Sequence, residues 1–412
     1  MPVKPPTLFV NKAEIREEAH GLLHWGAAQA AAGGAPGDPR RVAEPLLPPR
    51  VKIERVRLER SSIDLDPPFF AAWDPEPRRS FEATIVFVET DEGLTGIGSG
   101  DTMDGFERYE HLFVGTDPLA IERHVAVLET ITFHAGRYWP LEAALWDLAG
   151  KAAGKPVAEL FGGQLMRLPA YASTGEQRSP SERAESALRL RDEGFRALKL
   201  RVDRTKLDEG LAAVEAVRAA VGESMEIMVD LNQGWRMPGD TGPSLDHATV
   251  VSVAARLREL DVFWLEEPLP RENVKGYAAL RHSGLRIAGG EMARTTGELE
   301  AFEAADALDV YQPDAVLSVG MLRERELAER VTARGHFFTP HTWTNGIGLL
   351  ANLHLTAGVG GGPYLEYPYD PQGWTPERRD FMLAEPVRVD AEGFIAVPNR
   401  PGLGFELAHD LL

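Results

Sequence analysis

Seven short apolar runs in the second half of the chain each end in ionisable residues. ALKLRV carries Lys199 and Arg201, EIMVD ends at Asp230 with Asn232 just beyond, and VFWLE ends at Glu266 with Glu267 next. LRIAGG leads to Glu291, LDVYQ to Asp314, HFFTP to His341, and PYLEY contains Glu366. Solvated loop charges account for one or two such coincidences but not for an unbroken series. Three consecutive runs supply carboxylates: Asp230, Glu266 and Glu291. If those runs are neighbouring strands, three anionic oxygens converge, repel one another and rise in pKa unless a cation neutralises them. A hard divalent ion with few oxygen ligands suits the set, Mg2+ first, with Mn2+ as the alternative. The competing arrangement pairs the same carboxylates with Lys or Arg across the mouth of the fold. The next two runs bring Asp314 beside His341, where a carboxylate can hold one imidazole nitrogen and make the other more basic, as a general acid or base requires.

Groups that act together need a scaffold that gathers strand ends. The seven runs, preceded by LPAYA, alternate with stretches such as SPSERAESALRLRDEG. That stretch reads as a helix with both ends marked. Ser179 and Glu182 make a capping box, Pro180 takes the first helical position, Ala184, Ala187 and Leu188 recur at helical spacing, and Gly194 closes it. Eight strands with helical crossovers over roughly 200 residues predict an α/β fold, a parallel sheet closed into a barrel whose site lies at the C-terminal strand ends. A doubly wound open sheet is the alternative, but no G-x-G-x-x-G follows the first strand.

Ahead of the barrel, VKIERVRLER and FEATIVFVET alternate with period two and predict an antiparallel hairpin, joined by the Pro- and aromatic-rich segment 65–80. Residues 105–161 read as helices, with Leu141, Ala144, Leu145, Leu148 and Ala152 at helical spacing and Gly162-Gly163 as the stop. The expected organisation is therefore an N-terminal extension (1–50), an α+β domain (51–163), the barrel (164–384) and a tail (385–412) that returns to the first domain. The extension holds eight of the 30 prolines and room for one short helix around Ile15 to Trp25.

Composition narrows the classes of function. Lys+Arg 44 against Asp+Glu 63 leaves a net charge of −19, which repels phosphate backbones and anionic membrane surfaces, so neither nucleic acid nor membrane is an expected partner. The absence of cysteine removes disulfides, thiolate nucleophiles and Fe–S clusters, so any metal must take oxygen or imidazole ligands. No run of about 18 apolar residues and no basic-then-apolar leader is present, which predicts a soluble, cytoplasmic protein.

The motifs taken together resemble the enolase superfamily, in its mandelate racemase-like subgroup and near its acid-sugar dehydratases. They are LWDLAGKAAGKPVAELFGG ahead of the barrel, then GFRALKLRVD, MVDLNQ, FWLEEPLP, AGGE, YQPDAVLSVG, TPHTW and LEYP on successive strands. The resemblance implies a (β/α)7β modified TIM barrel covered by a capping domain, self-association, and one Mg2+ per subunit. It also implies removal of a proton α to a substrate carboxylate through an enediolate. By position, Asp230, Glu266 and Glu291 match the metal ligands, Asp314 and His341 a His-Asp dyad, and Glu366 the residue that hydrogen-bonds the substrate carboxylate opposite the metal. For Glu366 to donate it must be protonated, so a raised pKa is expected.

One departure matters. The family commonly has Lys-x-Lys on the second strand, the second lysine being a base opposite the histidine; here the motif is Lys199-Leu200-Arg201. A guanidinium with a pKa of about 12.5 or higher is a poor proton acceptor. Racemisation needs competent groups on both faces of the substrate, whereas a syn β-elimination needs one. The expected function is a Mg2+-dependent dehydratase of an aldonate or aldarate, giving a 2-keto-3-deoxy acid. Lys199, Arg201 and Asn232 then steady the small carboxylate substrate, and Lys199 is a base only if burial and Arg201 lower its pKa. A racemase or epimerase is the first alternative, and a catalytically silent ligand-binding protein the second. The loop residues Asp74, Glu76, Arg78, Arg79, Asp101 and Thr102 are candidates to meet hydroxyls or a distal carboxylate.

Overall fold

The computed structural model describes residues 51–163 and 165–409; the expected extension over 1–50, with its short helix, lies outside the described residues. The period-two segments form a three-stranded antiparallel sheet of β1 (Ile53–Phe69), β2 (Arg78–Thr90) and β3 (Thr95–Gly98). β1 runs further than its alternation predicts. Its register shifts between Asp64 and Phe69, and the irregular stretch takes in Pro67 and Pro68, which have no N–H to give a ladder. The loop to β2 shrinks accordingly to residues 70–77.

Helices α1 (Ile121–His134) and α2 (Trp139–Ala153) follow. Every residue of α2 from Trp139 to Gly150 is buried, because it is wedged between this sheet and the barrel. It lies so close to β3 that a Cβ on Gly96 or Gly98 would stand 2.1 Å from a backbone oxygen of Ala144 or Pro140, so only glycine fits there. Asp147 of α2 accepts the N–H groups of Ile97 and Leu403, each at 2.8 Å, and pairs with Lys151 at 2.7 Å.

After the short α3 (Val157–Leu160), the barrel strands are β4 (Arg167–Ser173), β5 (Ala197–Arg201), β6 (Glu226–Asp230), β7 (Val262–Glu266), β8 (Arg286–Gly289), β9 (Val310–Tyr311), β10 (Phe337–Phe338) and β11 (Leu365–Pro368). The eight run parallel, β4 to β10 in sequence order with β11 beside β4, and the Gly362 N–H on the Phe338 carbonyl at 2.9 Å bridges β10 to the β11 side. Seven crossover helices complete the (β/α)7β architecture: α4 (Pro180–Asp192), α5 (Leu207–Val221), α6 (His247–Glu259), α7 (Val274–Arg281), α8 (Thr296–Ala304), α9 (Met321–Ala333) and α10 (Gly346–Val359). α4 starts with the expected reciprocal Ser179–Glu182 bonds.

Strand periodicity positions the site. Tyr171, Ala197, Met228 and Trp264 fill the lower barrel, with Tyr171 edge-on to Trp264 at 5.5 Å. Two residues further along the same strands, on the same face, stand Ser173, Lys199, Asp230 and Glu266. Each strand thus carries an apolar plug below and a polar group above.

The tail divides its contacts. β12 (Phe394–Ala396) pairs antiparallel with Arg167–Pro169 of β4, and only then does Gly402 reach Lys155 and Val157 beside the first domain. Arg167–Pro169 lie below the reach of the parallel ladders to β5 and β11, and β12 satisfies their backbone. No helix among the described residues is long and apolar enough to cross a membrane.

Candidate active site

Asp230, Glu266 and Glu291 converge at the mouth of the barrel, fully buried, with one oxygen from each within 4.8 Å of the others. Glu266 is fixed through Oε2 by Trp264 Nε1 at 3.0 Å and Gln312 Nε2 at 2.8 Å; Glu291 is fixed through Oε1 by the indole N–H of Trp235. Glu291 Oε2 finds no hydrogen-bond partner among the described residues. Burial raises the Asp230 and Glu291 pKa values, Arg201 and His341 respectively oppose the rise, and Glu266 adds to it in both cases. Glu266 is also penalised by burial, yet the ammonium of Lys199 on Oε1 holds it below the usual carboxylate range. A buried, unpartnered carboxylate oxygen in a set of three is the donor chemistry of a hard divalent ion, and Mg2+ fits these residues.

The competing arrangement, with cations against carboxylates, is present as well. Lys199 Nζ contacts Glu266 and lies 2.7 Å from Glu366 Oε1 and 3.7 Å from Asp230 Oδ2. Arg201 pairs with Asp230 and donates to Asn232 Oδ1 at 3.0 Å, while its guanidinium lies 4.7 Å from the ring of Trp73 and 5.7 Å from that of Trp343. Burial pulls both cations toward neutrality, but Glu266 and Glu366 around Lys199, and Asp230 and Glu366 around Arg201, more than restore the charge. In this arrangement both carry their charge, paired with carboxylates. The expected raised pKa of Glu366 is corrected for the same reason: burial pushes it up, but Lys199, His341 and Arg201 outweigh burial and hold it at about 2. Glu366 is a carboxylate here, accepting from Ser173 Oγ and the Thr342 N–H, each at 2.7 Å.

The dyad forms as expected. His341 Nδ1 lies 2.9 Å from Asp314 Oδ2, and Nε2 faces the carboxylate triad, 3.9 Å from Glu291 Oε2. Burial disfavours the imidazolium, yet Glu291, Glu366 and Asp314 raise its pKa to about 9. The other Asp314 oxygen is held by the Val316 N–H at 3.0 Å and Asn352 Nδ2 at 3.1 Å, while Asn352 Oδ1 accepts the Ala315 N–H at 2.9 Å. Sequence reasoning missed Asn352; its signal is a single amide in the mostly apolar helix GIGLLANLHLTAGV, where His354 and Thr356 are the other polar residues.

Above these groups, between the barrel mouth and the first domain, lies a cavity of about 930 Å3. Of the loop candidates, Arg78, Asp101 and Thr102 line it; Asp74 instead pairs with Arg78 at 2.9 Å, and Glu76 and Arg79 are exposed away from it. Trp73 enters from the 70–77 loop, 4.8 Å from Trp343, and so seats the first domain on the barrel mouth.

This barrel and this triad define a family. Residues 182–411 match the family Enolase C-terminal domain-like, and residues 76–162 match Mandelate racemase / muconate lactonizing enzyme, N-terminal domain. The chain belongs to the enolase superfamily, in its mandelate racemase-like subgroup. It is 28% identical to D-galactarolactone cycloisomerase of Agrobacterium fabrum over 88% of this chain and 98% of that protein. It is 29% identical to arabinonate dehydratase of Saccharolobus solfataricus over 65% and 68%, and 26% identical to L-talarate/galactarate dehydratase of Salmonella typhimurium over 87% and 89%. The structure of a racemase from Streptomyces coelicolor with bound magnesium superposes with a TM-score of 0.73 at 28% identity, covering 87% of this chain and 98% of that one.

Proposed function

We propose that the protein is a Mg2+-dependent dehydratase that converts a sugar acid to a 2-keto-3-deoxy acid. The observation that carries this reading is the asymmetry of proton carriers. His341, held by Asp314, faces the site from one side, whereas Lys199 and Arg201 on the other are locked as cations by carboxylates. A single competent group suits a syn elimination. The neutral form of His341, favoured as pH rises toward its pKa of about 9, takes the α-proton at Nε2. The Cα–H electron pair moves into an enediolate, whose collapse forms the C=C bond and expels the β-hydroxyl, and the same proton goes from His341 to that hydroxyl to release water. The enol product tautomerises to the 2-keto acid.

Asp230, Glu266 and Glu291 would hold Mg2+, one per subunit, with Mn2+ as a substitute; when bound, it supplies positive charge to the substrate carboxylate as negative charge develops. Lys199 and Arg201 add fixed positive charge on the opposite side, and Asn232, whose Nδ2 has no partner among the described residues, offers a donor. Dehydratases among the relatives support the reading, and the racemase neighbour keeps stereoinversion as its rival.

The deciding experiment incubates purified protein with Mg2+ and a library of aldonates and aldarates in D2O. Keto-acid formation with loss of water is the expected result. Stereoinversion with deuterium at Cα and no keto acid would establish the racemase instead.

A further inference from the structure

In a chain of net charge −19, the cavity above the triad is lined by seven arginines and only four carboxylates. Most of the arginines are answered locally. Arg60 meets Asp104 at 3.0 Å, Arg78 meets Asp74 at 2.9 Å, Arg201 meets Asp230, and Arg236 meets Asp240 at 3.1 Å. Arg271 leans on Glu272 and Glu298 at 3.5 and 3.7 Å and donates to the Met292 carbonyl at 2.8 Å.

Arg137 and Arg294 are different. Arg137, on the turn before α2, keeps only 16% of its side chain exposed; it donates to the Leu317 carbonyl and approaches Met292 Sδ at 4.0 Å. It forms an ion pair with Asp101 at 3.5 Å, but among the described residues no carboxylate makes a hydrogen bond to its guanidinium. Arg294 lies two residues beyond Met292 on the same wall, and among the described residues no ion pair or side-chain hydrogen bond engages its guanidinium. Burial depresses the Arg137 pKa and Arg294 and Arg271 add to the fall, while Asp101 and Asp314 oppose it in part, so Arg137 and Arg294 repel across the cavity wall. A second anion shared between two guanidiniums relieves that repulsion and supplies the bidentate partner each lacks.

We propose that Arg137 and Arg294 bind a second anionic group, a carboxylate or phosphate ester, at the end of the substrate remote from the reacting carboxylate, making the preferred substrate a dianionic sugar acid. This rests on the dehydratase reading and selects within it. The cavity has room for a six-carbon chain spanning both ends. Asp101 at the same wall, its pKa lifted by burial to about 6, is placed to accept a hydroxyl near that end.

The test measures binding to the Mg2+-loaded His341→Asn protein, which holds substrates unreacted. The probes are glucarate and galactarate, 6-phosphogluconate, and the single-anion gluconate and galactonate. The diacids or the phosphate ester should bind at least tenfold tighter than the monoacids, the better arm identifying the group. Arg294→Gln should erase most of that preference and leave monoacid affinity unchanged; Arg137→Lys, which keeps a donor for Leu317, should weaken the same arm. Equal binding of one- and two-anion acids, or an equal loss for both in Arg294→Gln, overturns the inference while keto-acid formation by the parent protein leaves the dehydratase reading standing. Preferential diacid binding with no keto acid formed from any of them does the reverse.

Discussion

Asparagine at position 341 keeps a hydrogen-bonding amide near Asp314 and removes the proton carrier. His341→Asn should therefore lose about 10²–10⁴-fold in kcat while its thermal midpoint and its Mg2+ affinity stay at parental values. Unchanged turnover in a steady-state assay would put the proton on another residue. Asn352→Leu should give a smaller loss, because Asp314 keeps the Val316 N–H but loses the amide that fixes its second oxygen. These groups were unequally legible. Asp230, Glu266, Glu291, Asp314 and His341 announce themselves because each follows an apolar strand that has no other reason to end in charge. Asn352, Gln312 and Trp235 act on partners tens of residues away, and nothing local to them in the sequence names those partners. The ionisation of Glu366 was misjudged for a related reason: its state depends on Lys199 lying 2.7 Å away across the barrel seam.

At the level of elements, the N-terminus of α9 has no side-chain cap of its own, since Gly320 precedes it. Glu142 of α2 serves instead, accepting the Leu322 N–H at 2.8 Å and Trp146 Nε1 at 3.1 Å. Burial raises the Glu142 pKa from 4.5 to about 7 against these donors, and neighbouring Glu324 is pushed the same way. Between pH 4.5 and 7 the unfolded chain sheds this proton and the folded chain keeps it, so stability is highest below the range and falls as pH rises through it. The expected loss is on the order of 3 kcal/mol. Denaturation midpoints at pH 5 and pH 8 should differ less for Glu142→Gln, which keeps an acceptor for Leu322 and cannot ionise; an unaltered pH slope would refute the assignment. The eight barrel strands and the ends of α4 were readable because short apolar runs and capping residues are local signals. β12 was not resolved from the rest of the tail, because a three-residue strand is defined by the β4 edge it completes.

For the whole molecule, the three carboxylates keep a mutual repulsion that Lys199 and Arg201 offset only in part, and a bound divalent ion relieves the rest. Saturating Mg2+ should raise the unfolding temperature, by an amount equivalent to about 2.7 kcal/mol at a hundredfold excess over Kd, and EDTA should reverse it. Glu291→Gln, which keeps an acceptor for Trp235 and removes a charge already disfavoured by burial, should melt no lower than the parent without metal and no longer respond to Mg2+. A parental Mg2+ shift in that variant would remove Glu291 from the ligand set.

One continuous cluster of apolar side chains runs from Val86 and Phe87 through Leu141 and Leu145 of α2 to Leu327 and Leu349 of the barrel helices. Helix α2 therefore belongs to both halves at once. A chimaera that borrows only the sheet and α1 from a relative will meet mismatched surfaces at Gly96 and Gly98. Transplanting specificity in this scaffold means cutting in the 70–77 loop or carrying α2 and its barrel-side neighbours together.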